Sequence, residues 1–67
     1  MQDTLGKRIR EAREREGISQ GVLSERTGLH RVVLSRLECG TSANPRLSTL
    51  RALADALNVS ISFLAGD

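Results

Sequence analysis

Gly17, Gly28, Gly40, Asn58 and Gly66 cut the chain into short segments, each carrying apolar residues at helical spacing. A residue that tolerates left-handed backbone just past the last periodic apolar position is a helix C-terminal signal. Five such signals leave room only for helices of roughly one to three turns. The first is expected to begin at about residue 3 or 4, since Asp3 and Thr4 are both N-cap types, and to run to Glu16. Ser19 caps a second over about 20–27, and a third runs over about 31–38 and ends near Gly40. Leu47, Leu50, Leu53, Ala54 and Leu57 form an amphipathic fourth, and Ser60 caps a last turn through about Ala65. Thr41-Ser42-Ala43-Asn44-Pro45 reads as a loop, with Asn44 extended ahead of the proline. The expectation is an all-α chain of five helices without strands, a single domain over residues 1–67.

Composition agrees with that and narrows function. Ten Leu and six Ala stand against seven Val and Ile, which favours helices. Cys39 is alone, so there is no disulfide framework, and with no signal-peptide pattern this points to a reducing, cytoplasmic setting. No apolar run approaches the roughly 20 residues of a membrane span. The single histidine, His30, has no cysteines or acids at metal-ligand spacing, and neither a phosphate loop nor a nucleophile elbow is present. No enzyme, cofactor or metal is therefore expected. The formal charge of +2 says little, but its distribution says more: residues 30–36 contain Arg31 and Arg36 and no acid, and residues 46–54 contain Arg46 and Arg51 and none.

The informative segment is 20–38. Two helices this short, joined by three or four residues, cross steeply. Gly28 supplies the positive φ of the turn, Leu23, Leu29, Leu34 and Leu37 fill the angle, and Ser24 is small enough for close approach. On the third helix residues 31, 32, 35 and 36 share one side, while Leu34 and Leu37 point the other way. With both Val32 and Val33 present, at least one valine is expected to stay exposed.

Ile18-Ser19-Gln20, Thr27-Gly28-Leu29 and Leu34-Ser35-Arg36-Leu37-Glu38 with Gly40 resemble the helix-turn-helix of the phage-repressor and Cro family of bacterial transcription regulators. Asn44-Pro45, Leu47, Thr49-Leu50, Leu53-Ala54 and Ala56-Leu57 extend the likeness over roughly residues 5 to 65. The resemblance implies a compact, lambda-repressor-like DNA-binding domain that reads a palindromic operator as a homodimer, with helix 3 in the major groove. It implies base contacts by Arg31, Val32, Ser35 and Arg36: arginine can fork onto guanine, and valine can touch a thymine methyl. For Val32 the alternative is padding at the interface edge, and for Arg36 an ion pair within the chain. Gln20 resembles the family's phosphate-contacting glutamine, and Thr41, Ser42, Arg46 and His30 are further phosphate candidates, His30 being otherwise simply solvated.

Leu5, Ile9 and Arg13 step by four, which sets Arg13 on the apolar stripe of helix 1 and demands a partner. Related domains pair such an arginine with the glutamate ending helix 3, here Glu38. The remaining charges of helix 1, Arg10 among them, read as a solvated face. Val22, Cys39 and Phe63 depart from the family pattern. Phe63 with Ile61 and Leu64 is expected to centre a dimer interface; the alternative is that Phe63 folds back to complete the core. Cys39 is either inert or a redox switch at the end of helix 3. A second function class is an antitoxin-type module whose Val22 and Phe63 hold a toxin, and a third is the N-terminal part of a longer regulator.

Overall fold

The computed structural model describes residues 4–40 and 45–66, so Thr41 and Ser42 lie outside the described residues. The elements are α1 (Leu5–Glu16), α2 (Gln20–Thr27), α3 (Arg31–Cys39), α4 (Leu47–Leu57) and α5 (Ile61–Ala65), with no strand among the described residues. Local chemistry sets these bounds. Thr4, Ser19 and Ser60 accept hydrogen bonds from the amides of Lys7, Val22 and Phe63 at 3.2, 3.1 and 3.0 Å, which starts α1, α2 and α5. α3 and α4 start at His30 and Arg46 without a side-chain cap. Every helix ends on a left-handed residue, and at Asn58 (φ 57°) that residue is not glycine. Its amide side chain also donates to Glu16 at 3.2 Å, which ties the exit of α4 to the end of α1.

Ile9, Ala12, Leu23, Leu34, Leu37, Leu53, Ala54, Leu57 and Leu64 are buried together, with Leu5, Ile18, Leu29, Leu50, Ala56, Val59, Ile61 and Phe63 half-buried around them. α1 lies across α3, α2 packs on α3 and α4, and α5 closes the bundle against α1 and α4. None of the helices is long and apolar enough to cross a membrane.

Two expectations need correction. Leu47 is 57% exposed, because it opens α4 and nothing among the described residues covers that end of the apolar stripe. Leu64 is fully buried in the core of its own chain, so it is withdrawn as a dimer contact. Phe63 lies between its two alternatives, half-buried against the same core, since a five-residue helix folded onto α1 and α4 turns much of its apolar surface inward.

Candidate nucleic-acid interface

The turn between α2 and α3 is held by side chains as well as by shape. Gly28 (φ 76°) donates its amide to the Ser24 carbonyl at 2.8 Å. The Thr27 hydroxyl donates to the Leu23 carbonyl at 2.8 Å and accepts from the Leu29 amide at 3.2 Å. The Ser24 hydroxyl donates to the Leu29 carbonyl. Sequence reasoning gave Ser24 a steric role only; its hydroxyl also closes the turn. With Leu23 and Leu34 fully buried, the angle between α2 and α3 is fixed on both sides of the bend.

On that support α3 presents a face to solvent. Arg31 and Arg36 are exposed, Ser35 is half-buried, and Val32 is 59% exposed, whereas Leu34 and Leu37 are buried on the other side. Val33 is 37% exposed, so Val32 is the valine that stands clear. Arg36 is engaged in an interaction within the chain. His30, Arg46 and Cys39 are exposed at the start of α3, the start of α4 and the last residue of α3, and Gln20 is half-buried at the first position of α2. The expected base-contact residues therefore share one helix, and Gln20 and His30 each open a helix of the motif. Of the two residues on which a toxin-binding reading rests, Val22 is exposed on α2 and Phe63 is half-buried on α5.

Arg13 and Glu38 meet as expected. Arg13 Nε donates to Glu38 Oε2 at 3.0 Å and its NH2 nitrogen to Oε1 at 3.1 Å, a two-pronged bridge, while NH1 donates to the Ile18 carbonyl at 3.1 Å. The Glu38 side chain is only 1% exposed. Its hydrogen bonds raise the Arg13 pKa above the ordinary arginine value, against the opposing effect of burial. The bridge fixes the end of α3 against α1.

Two residues were missed. Gly6 faces the end of α3 so closely that an added Cβ would lie 2.3 Å from the Leu37 carbonyl oxygen and 2.7 Å from that of Glu38. A glycine inside a helix was the available signal. Arg10, read as part of a solvated face, has its Nε 3.7 Å from Glu38 Oε1.

Five helices around a hydrogen-bonded turn, with one side of α3 facing solvent and the other packed on α1 and α2, define a lambda-repressor-like helix-turn-helix domain. The family described as helix-turn-helix matches residues 9–64. An immunity repressor protein of Bacillus phage phi105 is 38% identical over 64 residues, 96% of this chain and 44% of that protein, so the chain spans less than half the length of this relative. The N-terminal DNA-binding domain of SinR from Bacillus subtilis is similar in structure, with a TM-score of 0.89 at 30% identity over 94% of this chain and 91% of that one. The P22 c2 repressor, solved in complex with synthetic operator 9T, gives a TM-score of 0.88 at 33% identity over 98% of this chain and all of that one. The chain belongs to the phage-repressor and Cro-like helix-turn-helix family of bacterial transcription regulators.

Proposed function

We propose that this chain is the operator-reading part of a cytoplasmic transcriptional repressor that binds a palindromic site as a homodimer, with α3 in the major groove. The observation that carries the reading is the solvent-facing side of α3, where the exposed Arg31, Val32 and Arg36 and the half-buried Ser35 lie opposite the buried Leu34 and Leu37. The likeness to P22 c2 repressor solved on an operator supports it. Arg31 and Arg36 would fork onto guanine edges and Val32 would meet a thymine methyl. Gln20 and His30 would hold phosphates at the starts of α2 and α3, with Arg46 at the start of α4 and with Thr41 and Ser42 as further phosphate contacts. The role is one of binding, without a reaction.

Selection of bound duplexes from a random pool by the pure protein tests this. Arg31→Ala and Arg36→Ala are each expected to weaken the selected site by about 1–3 kcal/mol and relax preference at one position, while Gln20→Ala weakens all duplexes alike. Recovery of no preferred sequence overturns the reading.

The dimer has its own test. The described backbone spans 28 Å along its longest axis, less than the roughly 34 Å between half-sites one helical turn apart, which supports one copy per half-site. Phe63 and Ile61, both half-buried in one chain, retain surface for a second copy. Sedimentation is expected to show a dimer that dissociates on dilution, with Phe63→Ser shifting it toward monomer; a wild-type monomer at every concentration, with and without operator, counts against it.

A further inference from the structure

We propose that Arg10 is a DNA-phosphate contact, held at the edge of the α3 reading face by the buried Glu38 carboxylate. This rests on the operator-binding reading and adds a residue of α1 to it.

Both Glu38 oxygens already accept from Arg13, at 3.0 and 3.1 Å, so that carboxylate is neutralised without Arg10. Arg10 nevertheless lies beside it, its Nε 3.7 Å from Oε1, too long for a hydrogen bond and close enough for attraction. Its side chain is 58% exposed. Lys7 and Glu14 lie one turn to either side of Arg10 on α1, and their charges offset each other. Lys7, Arg10 and Arg13 against Glu14 and Glu38 leave one surplus positive charge, and Arg10 is the member of the cluster that both faces water and is tethered.

Arg31 and Glu38 are two helical turns apart and within about 20° of the same line on α3. Glu38 therefore lies where the exposed face of α3 meets the face covered by α1, and Arg10 sits over that border. Seven residues of helix span about 10 Å, close to the major groove width of about 12 Å. If α3 crosses the groove with Arg31 and Ser35 at base edges, its Glu38 end would reach the groove wall, where the backbone phosphates are. A guanidinium fixed there by a carboxylate loses less freedom on meeting a phosphate than an untethered one.

The test compares wild type, Arg10→Gln and Arg10→Lys on the selected operator and on random duplex over a range of salt. Arg10→Gln is expected to bind both duplexes roughly five- to tenfold more weakly at 0.1 M salt, with the log–log salt slope reduced by about 0.9 per bound protomer and sequence preference retained. Arg10→Lys keeps the slope. Ethylation of one phosphate per half-site should impair wild type and leave Arg10→Gln indifferent, a signature that a purely structural role would not produce. An unchanged salt slope and ethylation pattern in Arg10→Gln overturns the proposal while operator binding stands. Absence of any duplex preference in wild type instead overturns the operator reading, and this contact with it.

Discussion

Gly6→Ala is expected to melt roughly 10 °C below wild type, and Gly21→Ala a few degrees above it. The same methyl group has opposite effects because of what it meets. At Gly6 the new Cβ would lie 2.3, 2.7 and 2.9 Å from the Leu37 oxygen, the Glu38 oxygen and the Glu38 carbonyl carbon. All three are backbone atoms in the last turn of α3, so no rotamer change relieves the clash, and α1 must lift. Lifting α1 loosens Ile9 and Ala12 in the core and stretches the bridge between Arg13 and Glu38. Overpacking against backbone this close falls at the upper end of the usual range, about 3 kcal/mol, which leaves a loss of about 2 kcal/mol after the gain of about 1 kcal/mol from alanine's better helix propensity. In a domain this size each kcal/mol shifts the melting temperature by about 4–8 °C. At Gly21 the new Cβ meets only the Ser19 hydroxyl at 3.6 Å, an ordinary contact, so the propensity gain remains. Circular-dichroism melts of the three proteins at one concentration decide it; Gly6→Ala melting at or above wild type would show that α1 and α3 are not in close backbone contact.

Helix boundaries were legible because capping is local. Thr4, Ser19 and Ser60 carry the acceptors, and Gly17, Gly28, Gly40, Asn58 and Gly66 take the left-handed conformations, whatever the rest of the chain does. The free face of α3 was legible too, since buried Leu34 and Leu37 leave only one side for Arg31 and Val32. The Arg13–Glu38 bridge came from two clues together: a charge on an apolar stripe and the family likeness. What stayed hidden depends on distances between elements. Periodicity put Leu47 on the apolar stripe of α4 but could not show that the stripe's first turn is uncovered. In the run Ile61-Ser62-Phe63-Leu64 it could not say which apolar residue turns into the chain's own core. Gly6 announced an interior helix glycine and nothing about the carbonyls opposite it, and Arg10 became distinct from its charged neighbours only once α1 was laid over the end of α3.

Arg13→Ala should be among the most damaging single substitutions in the chain, whereas replacing Arg13 and Glu38 together by Met and Leu should restore most of the stability. Removing Arg13 leaves a carboxylate that is 1% exposed with only the longer 3.7 Å approach of Arg10 for compensation. Stranding a buried charge in this way costs about 3–5 kcal/mol, which approaches the whole stability of a small domain. Glu38→Ala should cost less, because the Arg13 side chain is 15% exposed and can turn its guanidinium toward water. The apolar pair strands no charge and is often neutral or stabilising, with the Ile18 carbonyl losing its Arg13 donor as a small residual deficit. The pH dependence follows from the sign of the Arg13 shift. Its folded pKa lies above its unfolded one because of the ionised Glu38 carboxylate, so on the alkaline side its contribution is fully present below the ordinary arginine range and is lost as pH rises through the folded value in strong alkali. Any difference between Arg13→Ala and wild type should therefore not be created or removed by deprotonation of Arg13 anywhere near neutral pH. An unchanged melting temperature in Arg13→Ala would mean that the bridge does not hold α1 to α3. The double variant also separates stability from recognition. Without Glu38 the attraction on Arg10 is gone, so a well-folded Met–Leu protein should still prefer the operator but bind all duplexes more weakly than wild type.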